Sequence, residues 1–141
     1  MTVNQILGAK GKEVFSVVST ITVFEALGVM SEKNIGAILI IENTVLLGIL
    51  SERDYARKIA LKAKSSKKTL VNEIMVKEVV TVNPSDSLEY CMGLMDSRRV
   101  RHLPVSENGI IIGIISISDV VKAIIDLQKE TIKHLDSYIS Q

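Results

Sequence analysis

The chain has 141 residues, one cysteine, two histidines, no tryptophan and 47% apolar residues, enough for one domain or two very small ones packed together. Seventeen Lys/Arg stand against sixteen Asp/Glu, a formal charge of +1, so no global field draws in nucleic acid or an anionic membrane. The lone cysteine excludes an internal disulfide framework, two histidines make no zinc-ligand cluster, and no apolar run approaches the roughly 18–20 residues of a membrane helix.

Isoleucine and valine together supply 35 residues, against 5 for Phe and Tyr, which favours strands around an aliphatic core. The opening MTVNQILGAKGKE lacks the unbroken apolar stretch of a signal peptide, so residues 1–13 read as an N-terminal segment and a cytoplasmic protein is expected. A short strand is predicted around Val14–Val18. Val23, Ala26, Leu27 and Met30 then step at i, i+3, i+4 and i+7, a helix introduced by Thr22-x-x-Glu25 and stopped at Lys33-Asn34. The apolar runs Gly36–Ile41 and Val45–Leu50 read as buried strands joined through Glu42-Asn43-Thr44, and a second helix begins at Ser51. Lys58–Thr69 carries five lysines without interleaved aromatics and reads as a solvated helix end and linker.

The same order then recurs. A strand at Val79–Asn83 precedes a helix whose Leu88, Cys91, Met92 and Met95 keep the helical spacing behind Asp86-x-x-Glu89. Val100–Val105 and Ile110–Ile115 follow, joined across Asn108-Gly109, a strong hairpin signal, and another helix begins at Ser116. Shifted by 65 residues, the stretch from Val14 lies over the stretch from Val79 without a gap, matching Gly28/Gly93, Met30/Met95, Gly48/Gly113, Ile49/Ile114, Ser51/Ser116 and Asp54/Asp119. The predicted fold is therefore α/β (α+β): a β-α-β-β-α unit at 14–62, a linker at 63–75, a second unit at 76–127 and a helical extension at 128–141. In that extension Val121, Ile125, Gln128, Ile132, Leu135 and Ile139 step by 4, 3, 4, 3, 4, a heptad-like stripe that needs a partner surface on its own chain or a second one.

Gly48-Ile49-Leu50-Ser51-Glu52-Arg53-Asp54 and Gly113-Ile114-Ile115-Ser116-Ile117-Ser118-Asp119, in a duplicated β-α-β-β-α unit, resemble the CBS domain pair, or Bateman module. Arg101-His102-Leu103-Pro104-Val105 is similar to the family's second-strand motif, and Ser-Glu-Arg-Asp-Tyr-Ala-Arg-Lys to its stand-alone bacterial subgroup. The resemblance implies one pseudo-twofold pair acting as a non-catalytic regulatory module. It implies adenosine-containing ligands (AMP, ADP, ATP or NAD(H)) in clefts between the repeats, no catalytic cofactor and no metal. A homodimer and an unidentified downstream protein would be its partners.

Ser51-x-x-Asp54 and Ser116-x-x-Asp119 have two compatible readings. Ser at the N-cap with an acid three residues on is a helix cap. A helix N-terminus also suits phosphate, and an ionised carboxylate suits the vicinal diol of a ribose. Arg98-Arg99-Val100-Arg101-His102 enters an expected buried strand, with Arg99 and Arg101 on one face, and a buried guanidinium calls for a phosphate or carboxylate nearby. Arg53 stands where the second copy has Ser118, so the two sites are chemically unequal. By position, the resemblance extends the candidate contacts to the backbone at Ser16, Val17, Thr81 and Val82, and to Gly36, Ala37, Val100 and His102. Only Tyr55 and Phe15 bring an aromatic near these segments, so Val and Ile would sandwich an adenine. Ser116, His102 and Asp119 spell a triad on paper, but no strained nucleophile elbow precedes the serine. Cys91, Met30, Met92 and Met95 read as core, and His134 as solvent-facing. The competing reading is a ligand-free homodimeric assembly module in which both Ser-x-x-Asp motifs only cap helices.

Overall fold

Thr2 opens a helix where none was predicted. Its hydroxyl accepts from the Gln5 amide at 3.4 Å while the Gln5 side chain accepts from the Thr2 amide at 2.9 Å, a reciprocal cap that starts α1 (Val3–Lys10). This structure, a computed structural model, describes residues 1–140; Gln141, the end of the expected extension, lies outside the described residues. In chain order follow β1 (Ser16–Val17), α2 (Val23–Lys33), β2 (Ala37–Glu42), β3 (Val45–Ser51) and α3 (Glu52–Tyr55), which widens into a π-helical turn over Ala56–Ala60. Then come α4 (Val71–Ile74), α5 (Leu88–Arg98), β4 (His102–Glu107), β5 (Ile110–Ser116) and α6 (Ile117–Ile139).

Two compact units divide the chain. One comprises Met1–Lys12, Thr81–Ser106 and the chain from Gly113 onward; the other comprises Glu13–Val80 and Glu107–Ile112. In the second, β1 pairs parallel with β2, and β2 pairs antiparallel with β3, Ala37 opposite Ser51. Asn43 and Thr44 both carry positive φ, as two-residue hairpin turns require, and Asn108 and Gly109 repeat this between β4 and β5. The core of this unit is Val23, Ala26, Met30, Ile38, Ile40, Leu50, Ile59, Val71 and Ile74. Sixty-five residues on, Leu88, Cys91, Met95, Leu103, Val105 and Ile115 are buried in the first unit, so the duplication preserves the buried positions as well as the motifs.

The repeat is longer than the β-α-β-β-α unit. Thr2-Val3-Asn4-Gln5-Ile6-Leu7 matches Leu70-Val71-Asn72-Glu73-Ile74-Met75, but at an offset of 68. The docking bonds are equivalent one for one. Val3 and Asn4 donate to the carbonyls of Asp86 and Pro84, each at 2.9 Å, and Leu88 donates to Met1 at 2.9 Å. Val71 and Asn72 donate to Ile21 and Ser19 at 2.9 and 3.1 Å, and Val23 donates to Thr69 at 2.8 Å. Each leading helix precedes one copy in the chain and packs on the other: α1 lies against copy two, α4 against copy one.

Several expectations change. The expected strand at Val79–Asn83 reduces to a single parallel bridge, Val82 to Val105. Arg99 is not on a strand. It is the left-handed C-cap of α5 (φ 53°), the counterpart of Asn34 at the end of α2 (φ 55°). Arg99 and Arg101 are both exposed, so neither is the buried guanidinium the strand reading required. Met92 is 42% exposed and lies outside the core, while Met30 and Met95 are buried. Lys58 is only partly exposed and is drawn inward, its ammonium donating to the Ile74 carbonyl at 2.8 Å.

Candidate functional site at the two helix starts

Both Ser-x-x-Asp motifs close as reciprocal caps. Asp119 Oδ2 accepts from the Ser116 amide (2.8 Å) and the Ser116 hydroxyl (3.0 Å), and that hydroxyl also receives the Asp119 amide at 3.2 Å. Asp54 Oδ2 accepts the same pair from Ser51 at 3.0 and 2.9 Å, with the Asp54 amide on the serine hydroxyl at 3.1 Å. Every one of these carboxylate bonds falls on Oδ2; Oδ1 takes no part in either cap. The serine hydroxyls donate to carboxylates and not to an imidazole, so the Ser116–His102–Asp119 constellation does not form a nucleophile and base.

The first amide of each helix ties it to the entrance of the neighbouring strand. Ile117 donates to the Arg101 carbonyl at 2.9 Å, and Glu52 to the Gly36 carbonyl at 3.0 Å. The structure thereby gathers Arg101, His102, Ser116, Ser118 and Asp119 at one helix start and Gly36, Ala37, Ser51, Arg53 and Asp54 at the other. Arg53, Arg101 and Ser118 are exposed, and the two aspartates partly so. Val100 is held at the end of α5, its amide on the Met95 carbonyl at 3.1 Å. Ser16 and Val17 pair with Leu39 and Ile40. Val82 is buried, its amide on the Pro104 carbonyl and its carbonyl receiving the Ser106 amide; Thr81 beside it is exposed.

Each aspartate also carries a lysine, and the two lysines come from unrelated places. Lys58, one turn along the same helix, stands 3.5 Å from Asp54 Oδ1. Lys10, from the end of α1, lies 2.7 Å from Asp119 Oδ2 and also donates to the Ile114 carbonyl. Neither lysine was a candidate from the sequence. Burial alone would raise the Asp119 carboxyl, but Lys10 and the Ser116 cap outweigh it and hold it below its usual value. His102 moves down, through burial first and then the charge of Lys10, with Asp119 opposing and Arg101 adding slightly, so it is neutral near pH 7. Burial lifts the Cys91 thiol to about 11, an inert core group. Among the described residues no cluster of His, Cys, Asp and Glu could hold a metal ion.

Duplicated cores, duplicated caps and mirrored helix docking define a tandem-repeat module, and comparison with known proteins names the class. The CBS domain family matches residues 10–61 and 71–126. The chain belongs to the CBS-domain family. It is 36% identical over 147 residues to the mitochondrial CBS domain-containing protein CBSX3 of Arabidopsis thaliana, covering 98% of this chain and 71% of that one. A protein with CBS domains from Burkholderia ambifaria MC40-6 superposes with a TM-score of 0.86 at 46% identity, over 89% of this chain and 95% of the other. The CBS domain pair of protein MJ0100, solved with 5′-methylthioadenosine and S-adenosyl-L-methionine, shares the fold at 23% identity and a TM-score of 0.78, over 88% of this chain and 95% of that one. No helix among the described residues is long and apolar enough to cross a membrane.

Proposed function

We propose that this chain is a non-catalytic sensor module, acting in the cytoplasm, that binds an adenosine-containing ligand (AMP, ADP, ATP or NAD(H)) through its Asp54 and Asp119 helix starts and thereby alters its contact with a partner protein. The observation that carries this reading is the equivalence of the two carboxylates: each has one oxygen committed to its own cap and the other outside it. A ribose diol can donate to the second oxygen while the cap stays closed, so helix stability and ligand contact do not compete. Ser51, Ser116, Arg53, Arg101, His102 and Ser118 surround the same two positions. The adenosine ligands of the MJ0100 pair agree with the class of ligand proposed.

A second reading, homodimeric assembly, has its own support. On α6, Ile117, Val121, Ile125, Ile132, Leu135 and Ile139 are 42–79% exposed, an apolar stripe interrupted by Gln128 beside the face that buries Val120 and Ala123. A homodimer through this helix is compatible with ligand binding.

The deciding experiment is a set of melting curves for the full chain with AMP, ADP, ATP, NADH and S-adenosylmethionine, in wild type and in Asp54→Ala and Asp119→Ala. Each substitution removes the carboxylate half of a capping box and lowers the baseline, so ligand-induced increments are compared. A ligand at 100 times its dissociation constant adds about 2.7 kcal/mol per site, several degrees for a chain of this size. If none of the five shifts the wild type, the sensor reading fails. An increment that survives both substitutions removes Asp54 and Asp119 from the site.

A further inference from the structure

Lys10 is a charged group at the Asp119 carboxylate that the duplication does not supply twice. At the corresponding place in the other unit, the Ile49 carbonyl accepts the Val76 amide at 2.9 Å, a backbone bridge after the short helix α4. Helix α1 continues a turn further, so the equivalent carbonyl, Ile114, receives the Lys10 ammonium instead. That ammonium is 2.7 Å from an Asp119 oxygen already accepting two bonds from Ser116. Lys10 and Asp119 also line a single cavity of about 250 Å³ with Gln5, Ile6, Lys122 and Asp126.

We propose that Lys10 makes the Asp119 site selective for a phosphate-bearing ribonucleotide over a neutral or cationic adenosine compound. The proposal rests on the reading of Asp119 as a ligand contact. A ribose diol donating to Asp119 Oδ1 leaves Lys10 on Oδ2 but draws charge from the carboxylate, and so loosens its hold on the ammonium, whose side chain is 31% exposed. A ligand that brings its own phosphate re-pairs the ammonium. A neutral nucleoside offers the loosened ammonium nothing in exchange, and a sulfonium adds a like charge beside it; both bind less tightly than the phosphate ligand. Lys58 at Asp54 stands further off, 3.5 Å, and is more exposed at 38%, so that site discriminates less.

Isothermal titration of the full chain tests this in an Asp54→Asn background, which keeps a cap acceptor while removing the second carboxylate. AMP and adenosine are titrated into this protein and into versions also carrying Lys10→Met or Lys10→Arg. The unsubstituted Lys10 protein is expected to favour AMP. With Lys10→Met, adenosine binds more tightly and AMP more weakly, and their affinity ratio falls at least about tenfold; Lys10→Arg retains the preference. An unchanged ratio in Lys10→Met overturns the proposal, as does an equal gain for both ligands, which would make Lys10 a simple plug. Absence of binding by either ligand to all three proteins takes down the ligand reading itself, a result distinct from binding without discrimination.

Discussion

Alanine at Gly48 and at Gly113 separates two docking arrangements that otherwise look alike. A Cβ on Gly48 would lie 2.8 Å from Met75 Sδ and 2.8 Å from the Val76 carbonyl oxygen; on Gly113 it would lie 2.8 and 3.0 Å from the two methyls of Leu7. Comfortable carbon contacts are ~3.5–4.0 Å, so each site must yield by more than half an ångström. Leu7, although fully buried, can turn its methyls aside. Val76 cannot: its carbonyl holds the Ile49 amide at 3.0 Å and its amide holds the Ile49 carbonyl at 2.9 Å. Overpacking costs about 1–3 kcal/mol, and each weakened backbone bond up to about 1 kcal/mol more. Gly113→Ala is then expected to lose about 1–2 kcal/mol and Gly48→Ala about 3–4 kcal/mol. The difference of about 2 kcal/mol corresponds to roughly 6–8 °C in melting temperature. Urea unfolding followed by circular dichroism measures it, with unchanged slopes confirming that stability alone has moved. If Gly113→Ala costs as much as Gly48→Ala, or both are neutral, the distinction between a movable side chain and a fixed backbone bridge is wrong.

Two further outcomes can be checked. On the homodimeric reading, Leu135→Asp, at 53% exposure on the α6 stripe, shifts the chain from dimer to monomer in sedimentation analysis while leaving its melting temperature at low protein concentration nearly unchanged; an unchanged oligomeric state removes this stripe from assembly. His102 is held below its ordinary value of 6.5, so the unfolded chain binds its proton first and stability falls as pH drops from about 6.5 toward the depressed value. Lys10→Met removes a positive neighbour and leaves Asp119 without its ammonium, and both changes raise the His102 value and flatten that loss. An imidazole NMR titration reads it, and a value that stays put or falls contradicts the placement of Lys10.

Much of the fold was legible because it is written in periodicities of the core. The spacing of Val23, Ala26 and Met30, repeated by Leu88, Cys91 and Met95, places the buried faces of α2 and α5, and Asn108-Gly109 places a hairpin turn. Helices α1 and α4 were not legible. Their apolar pieces are too short for a periodic signal, and at the 65-residue offset Leu7 falls on Asn72 instead of Met75. Only a second offset of 68 brings the two segments into register. Arg99 was misread for a local reason: arginine is an unusual residue for a left-handed cap, so Arg98-Arg99 did not announce the helix end that Lys33-Asn34 did.

The candidate site divides along the same line. Ser51, Asp54, Ser116 and Asp119 were legible because a cap is a contact within four residues and is copied with the repeat. Lys10 was not, because its pairing spans more than a hundred residues and depends on α1 packing against the copy it does not precede. Local motifs therefore show what the two helix starts share, and long-range docking decides how they differ. The asymmetry first expected between Arg53 and Ser118 involves two exposed side chains. The stronger one lies at the carboxylates themselves, where Asp119 is held by an ammonium from another helix and Asp54 by a lysine one turn along its own. Any difference in ligand preference between the two sites should follow the carboxylates' lysines more closely than the exposed positions beside them.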